Sequence, residues 1–432
     1  MKASPSQPVS RAAWSGLSLL TLIYVCHSVD RSVMSIVVEP VKAEFGLSDS
    51  QMGVLSGLAY AMTYAIAGIP IGYLIDRVNR RNLLAGLVAT WSAFTVLCGF
   101  AQSYVQLLVA RLCVGAAEAG GAPTSISIIS DLFPEARRSS AISIFWLSTA
   151  IGTAVSFGIG GIVAANFGWR AAFLVAGAPG LVLAVVLLMV LREPKRGAMD
   201  VTTASPPGED ERAPSLLTAF RFAATRPPVV HTFIAMSLKS SVLSGALVWA
   251  AAYFMRTQDM PIAQAGIIVG ISIAVFGGFG SLLGGVLGDW AYKKGGSKAV
   301  PLVPCISSLV TAATLAVFAL TANFMLAIVA FAAFEIASRT HTAPAYSFMV
   351  GNLPARMRGV VIAALQVSTY LVGYGLGPFF VGALSDAIGG PDSIRYGLLG
   401  LAFVAVWVSI HFYLASRSTL IAPNAEPVQS PN

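Results

Sequence analysis

Asp30, Arg31, Arg111 and Glu118 are ionisable residues set inside stretches otherwise rich in Leu, Val, Ala and Gly. Carboxyls that alternate between paired and unpaired states beside guanidinium groups can load and release protons. An ion in hydrocarbon is costly unless it is paired or lines a wet cavity, so such residues mark substrate paths and proton relays. Arg111 and Glu118 are seven residues apart, two turns along one face of a helix. Glu118 is flanked by Gly115, Ala116, Ala117, Ala119, Gly120 and Gly121, small residues that let neighbouring helices close in and dry the site. The plainer reading is a static ion pair of Asp30 or Glu118 with Arg111. His27, one turn before Asp30 and Arg31, is a packed residue or a proton relay. A second group lies further along: Glu335 and Arg339 at i and i+4, His341 beside them, and Lys239. An intrahelical salt bridge explains the first two, and Arg339 or Lys239 facing a cavity would offer an anion site. Within the apolar stretches stand four cations (Arg31, Arg111, Lys239, Arg339) and three anions (Asp30, Glu118, Glu335), so a negatively charged substrate would complete the set once one acid is protonated.

The elements that must hold these charges are twelve apolar stretches: 14–39, 50–75, 82–101, 104–131, 139–165, 169–191, 231–256, 262–290, 299–321, 323–350, 359–386 and 394–416. Most reach the roughly 20 residues that a transmembrane helix needs. With 56% hydrophobic and 11% charged residues the composition is that of an all-α polytopic membrane protein. Along the fourth stretch Arg111 and Glu118 sit about 10 and 20 Å from its start, and Asp30 and Arg31 fall at an intermediate depth, so all four can meet in one cavity. Of the 27 Lys and Arg, nineteen lie on the side that holds both termini and four (Lys42, Arg170, Arg256, Arg395) on the other. By the positive-inside rule both termini are cytoplasmic, with no cleavable signal expected. The net charge of +8 is sorted by loop rather than gathered in a patch, which argues against nucleic acid. Cys26, Cys98, Cys113 and Cys305 are scattered through apolar stretches, so no disulfide, metal or other cofactor is expected.

The long hydrophilic break from Arg192 to about Val230 divides six stretches from six. The expected organisation is a six-helix bundle over 1–191, a cytoplasmic linker over 192–230, a second bundle over 231–416 and a disordered tail over 417–432. In the linker, Leu216, Leu217, Phe220 and Phe222 alternate with Arg221 and Arg226, as in a short interfacial helix. The halves echo each other: Phe133-Pro134 recurs as Leu353-Pro354 at an offset of 220, and Gly72 to Asp76 recurs as Gly285 to Asp289 at 213. A duplicated unit of this kind rocks around a midplane site. Glycines crowd stretches 5 (Gly152, Gly158, Gly160, Gly161), 8 (Gly277, Gly278, Gly280, Gly284, Gly285) and 11 (Gly373, Gly375, Gly377), which predicts a sliding seam there. Phe145, Trp146, Phe276, Tyr370 and Tyr374 read most simply as packing residues, with a cavity lining as the alternative for several of them.

Gly72-Tyr73-Leu74-Ile75-Asp76-Arg77-Val78-Asn79-Arg80-Arg81 resembles the signature loop of the major facilitator superfamily. On its own chemistry the loop is a gate: Asp76 ends a helix and reads as a latch, Arg77 follows it, and Arg80 and Arg81 serve equally as latches or membrane anchors. Asp30-Arg31, Arg111 with Glu118-Ala119, this loop, and Arg192-Glu193-Pro194 resemble the spinster-like branch over most of the chain. That resemblance implies twelve helices in two pseudo-symmetric bundles and rocker-switch transport of lysophospholipids or sphingoid phosphates. It further implies that Asp30 and Glu118 take protons, with Arg31 and Arg111 tuning them or meeting an anionic head group. Organic-anion and sugar-acid proton symporters of the same superfamily share the Asp-Arg pair and the Glu, and they stand as the alternative.

The function expected is therefore proton-coupled secondary transport of an anionic, lipid-like substrate by a monomer in the bacterial inner membrane. No catalytic constellation or Walker loop appears, so neither an enzyme nor an ATP-driven pump is expected. Stretch 5 lacks the Gly-Pro pair of drug antiporters, which argues against drug export. A channel would need a continuous polar stripe, and a non-transporting receptor is the less favoured remaining class.

Overall fold

A computed structural model describes residues 9–199, 221, 224–390 and 392–418. The interfacial helix expected around Leu216 and Phe222, and most of the expected tail, lie outside the described residues.

The helices are α1 (Arg11–Ile36), α2 (Asp49–Ile75), α3 (Arg80–Cys98), α4 (Tyr104–Leu132), α5 and α6 (together Arg137–Val190), α7 (Pro227–Thr257), α8 (Ile262–Lys298), α9 (Leu302–Leu320), α10 (Phe324–Gly351), α11 (Val360–Ile388) and α12 (Ile394–Arg417). α5 and α6 run on without a loop, but Gly168 between them has φ 82° and ψ 164°, which no helix tolerates. Twelve spans result among the described residues, within a few residues of those read from hydropathy except that α8 runs to Lys298 rather than 290. Polar caps start many of them. Ser10, Asn79, Ser103 and Asn323 each accept a backbone N–H from the first turn, and Ser48 with Gln51 forms a capping box. The outer surface carries Phe167, Met189, Leu282 and Phe403, each at least 70% exposed, as suits a body immersed in hydrocarbon.

The duplication is written in the backbone. Gly168 and Gly389 share one conformation (φ 82°, ψ 164° and φ 73°, ψ 163°) at an offset of 221, each joining the fifth span of its half to the sixth. Gly46 (φ 61°) and Asp259 (φ 48°), which join the first span of each half to the second, are 213 apart. Both α4 and α10 are broken midway, into Tyr104–Glu118 and Gly121–Leu132, and into Phe324–Arg339 and Thr342–Gly351. The cause is the same: Pro123 and Pro344 have no N–H to give the carbonyls of Ala119 and Thr340, four residues earlier. Glu118 and Arg339 thus each close the first segment of a broken helix.

Among the described residues three π-helical turns interrupt the spans, Val54–Leu58 in α2, Ser272–Gly277 in α8 and Thr369–Leu376 in α11. All three lie in helices that meet the opposite half. There the contact is close: a methyl on Gly57 would come within 2.5 Å of the Tyr374 carbonyl, and one on Gly266 within 2.2 Å of the Phe157 carbonyl. The seam is therefore α2 on α11 and α5 on α8. The glycine count misplaces part of it, because Gly280 and Gly284 face Ile336 and Thr340 of their own half, and Gly152 faces Val25 of α1.

Candidate functional site

Within the first half, α1, α2 and α4 bring Asp30, Arg111 and Glu118 into a core where each is fully buried. Glu118 Oε2 accepts a hydrogen bond from the Tyr60 hydroxyl at 2.6 Å and lies 3.4 Å from His27 Nε2. The His27 ring is stacked on Tyr24, 4.4 Å between centroids, and edge-on to Trp91, so it is held toward Glu118. Arg111 does not pair with either acid. Its Nε donates to the Leu55 carbonyl at 3.4 Å and its Nη1 to the Asp30 main-chain carbonyl at 3.3 Å. Leu55 lies in the π-helical turn of α2, where the ladder is out of α-helical register. Both Asp30 carboxyl oxygens and Glu118 Oε1 are buried with no hydrogen-bond partner. The static ion pair of Arg111 with Asp30 or Glu118 is thus replaced by a guanidinium held by carbonyls and two acids with vacant oxygens.

Arg31, the next residue after Asp30, turns out of this core and across to the second half. Its guanidinium carbon lies 3.8 Å from the Tyr374 ring centre, 5.2 Å from Tyr370 and 5.3 Å from Tyr60. It lines a small chamber of about 30 Å³ between the halves, with Ser35, Ser56, Ser244 and Pro378. The expected single cavity for all four charges is therefore two environments: a sealed core holding Asp30, Arg111 and Glu118, and an interface chamber holding Arg31. Tyr374, read from sequence as packing or cavity lining, forms part of its wall, while Tyr370, 5.2 Å from the Arg31 guanidinium, lines the neighbouring cleft. Their spacing of four on a glycine-rich helix was the available signal.

In the second half Glu335 Oε2 meets Arg339 Nε at 3.4 Å, the intrahelical bridge that the spacing predicts. Glu335 is fully buried and Arg339 keeps 26% side-chain exposure. Lys239 is fully buried and donates to Thr311 Oγ1 at 2.7 Å, so it does not stand in an open cavity wall in this conformation. His341 Nδ1 lies 2.6 Å from the Ser338 carbonyl. His231 and His411, whose places near span ends suggest no special role from sequence, face each other with Nδ1 atoms 3.0 Å apart. Among the described residues no cluster of three or more His, Cys, Asp or Glu could hold a metal ion.

At the end of the bundle that carries the termini, the signature loop belongs to one half. Arg80, 1% exposed, binds Asp131 at 2.5 Å, Glu193 at 2.8 Å, Ser127 and the Pro194 carbonyl. The Arg81 main-chain N–H donates to Glu193, and Arg77 stacks on Tyr73. Asp76 and Asp289 are exposed, without a partner among the described residues, and a methyl on Gly72 would meet open space. In this conformation Arg80, rather than Asp76, fastens the loop. Between the halves at this end opens an apolar cleft of about 410 Å³, lined by residues such as Ala65, Gly68, Ile126, Trp146 and Val367.

The opposite end is fastened across the halves. Arg256, ending α7, binds Glu39 at 2.7 Å and both carboxyl oxygens of Asp49 at 2.7 and 2.8 Å. Asp386, at the end of α11, accepts the N–H groups of Asp49 and Ser50, so a carboxylate from one half caps the α2 N-terminus of the other. Ser385 and Lys42 also bind Asp49. None of this network was singled out from sequence, where Arg256 stood only as one of four basic residues on that side.

The sequence profile of the Major Facilitator Superfamily matches residues 20–378. An MFS-type efflux pump of Mycolicibacterium smegmatis is 27% identical over 394 residues, 91% of this chain and 89% of that one. The probable galactarate/D-glucarate transporter GudP of Bacillus subtilis is 25% identical over 326 residues, 69% of this chain and 70% of that one. The crystal structure of a bacterial homologue of the human lysosomal transporter Spinster, inward-facing and unoccupied, superposes with a TM-score of 0.87 at 27% identity, covering 95% of this chain and 98% of that one.

Proposed function

The chain belongs to the Major Facilitator Superfamily as a spinster-like membrane transporter, and from that premise we propose that it is a proton-coupled carrier of an anionic amphipathic or lipid-like substrate. The observation that carries the reading is the pair of buried acids. Asp30 and Glu118 keep oxygens free of any donor, and neither touches a guanidinium. A carboxyl in that setting can exchange a proton without first breaking a salt bridge. Arg111, bound to the main chain of α1 and α2, couples that core to the helices on either side. Arg31, caged by tyrosines at the interface, is the counter-charge for an anionic head. The apolar cleft beside it suits an alkyl chain. With one end fastened and the other open, the captured state presents the cleft to the side of the termini, which the basic-residue bias assigns to the cytoplasm of a bacterial plasma membrane.

A second reading is an organic-anion or sugar-acid proton symporter, favoured by the GudP relative and by the small, serine-lined chamber. The efflux-pump relative bears on direction and weighs against the inference drawn from the missing Gly-Pro pair of α5.

The test is flux in proteoliposomes under an imposed pH gradient, with lysophospholipid, sphingoid phosphate and sugar acid offered in turn. One proton per substrate and one pH unit would sustain at most about a tenfold concentration ratio for an otherwise electroneutral cycle. Glu118→Gln and Asp30→Asn are expected to bring the ratio to unity while exchange persists. Uphill transport undiminished in both variants would remove the proton role, and selective accumulation of the sugar acid would favour the second reading.

A further inference from the structure

The apolar cleft and the Arg31 chamber are neighbours, yet different residues line them. Between them stand Tyr64 of α2 and Tyr370 of α11, which stack across the two halves with ring centroids 4.1 Å apart and planes within 5°. Both rings line the cleft. One helical turn further from the termini, Tyr60 and Tyr374 line the chamber with Arg31. Beyond the chamber α2 and α11 meet backbone to backbone, since a methyl on Gly53 would come within 2.8 Å of the Phe379 backbone. The passage between the halves therefore narrows at one stacked pair and ends just past it.

We propose that the Tyr64–Tyr370 stack is a neck that sets which head groups reach Arg31: it parts to admit the polar head from the cleft and leaves the apolar remainder outside. Tyr370 is mounted to do this, because it sits in the π-helical turn Thr369–Leu376, where the wider turn lets the ring shift register without unwinding α11. Tyr64 lies in regular α-helix and is the fixed member. The inference rests on the transport reading for what passes through, but not for the existence of the neck.

Thiol accessibility tests the neck without transport. In a protein whose four native cysteines are replaced, Ser56→Cys places a thiol in the chamber at a hydroxyl that has no hydrogen-bond partner. Ala363→Cys places one in the cleft as a control. A charged methanethiosulfonate is expected to modify the cleft thiol quickly and the chamber thiol slowly. Tyr64→Ala or Tyr370→Ala should raise the chamber rate about three- to tenfold, the range that loss of one stacked pair produces, and leave the cleft rate unchanged. Tyr370→Phe, which keeps the stack, should behave as the parent. An unchanged chamber rate in both alanine variants with normal cleft labelling overturns the proposal, as does equal acceleration by Tyr370→Phe. Transport can fail in liposomes while these rates hold, so the two readings fall separately.

Discussion

Replacing Arg256 with Ala should release the fastened end of the bundle, and the structure sets how far. The guanidinium makes a bidentate pair with Asp49 and a further bond to Glu39, joining the end of α7 to the segment between α1 and α2. Its side chain is 12% exposed, Asp49 3% and Glu39 21%, so the cluster is mostly dry but open at one edge. Truncating one partner of a buried, hydrogen-bonded charge pair costs about 2 to 5 kcal/mol, and the exposed edge places this one near the lower half of that range. Asp49 retains Lys42 and Ser385, which further limits the loss. A change of about 2 to 3 kcal/mol moves a two-state equilibrium roughly 30- to 150-fold toward the state in which this end is open. Spin labels at Gln102 and Ala322, exposed positions near this end in opposite halves, would report it by double electron–electron resonance. A new long-distance component is expected in Arg256→Ala, and a smaller one in Arg256→Lys, which keeps the charge without the bidentate fork. A distance distribution identical to the parent's would refute the assignment of this cluster as the fastener between halves.

Arg80→Ala should lower thermal stability by about 3 kcal/mol or more, because it strands Asp131 and Glu193 beside a buried vacancy, while Asp76→Asn should stay within about 0.5 kcal/mol; equal melting shifts would contradict the partners described. Glu44 accepts from Arg170 and Trp169 at 2.6 Å, and the Arg170 hydrogen bond, ahead of the Trp169 bond, holds its carboxyl below the usual range. A depressed folded-state value means that this contribution is present above the unfolded carboxyl value of about 4.3 and fades as pH falls through the folded one. Glu44→Gln should therefore melt below the parent at pH 7 by a small margin that closes in acid, and a margin constant with pH would count against the bond.

Much of the fold was legible from the chain because it follows from local rules. Hydropathy over some twenty residues fixed the spans, and the repeat offsets announced a duplicated unit, although its paired glycines and proline breaks were seen only in the backbone. Glu335 and Arg339 were legible as a bridge because a helix itself sets their separation. Within the candidate site the depth of Asp30, Arg111 and Glu118 could be counted in helical rises, but not their partners. That Arg111 reaches carbonyls rather than carboxylates depends on how α1, α2 and α4 are rotated about their axes and on the π-helical turn that displaces Leu55.

The sequence by itself determined that the protein crosses a membrane twelve times in two related halves and carries ionisable groups where hydrocarbon would exclude them. Periodicity and transfer free energy act on each segment alone, so they can be read without coordinates. Only the tertiary structure decided that consecutive residues Asp30 and Arg31 serve different spaces, that Arg256 and Asp386 tie the halves together at one end, and that two tyrosines meet between them. Those facts depend on the rotation and approach of helices far apart in the chain, which a few ångströms of packing settle and no local pattern encodes.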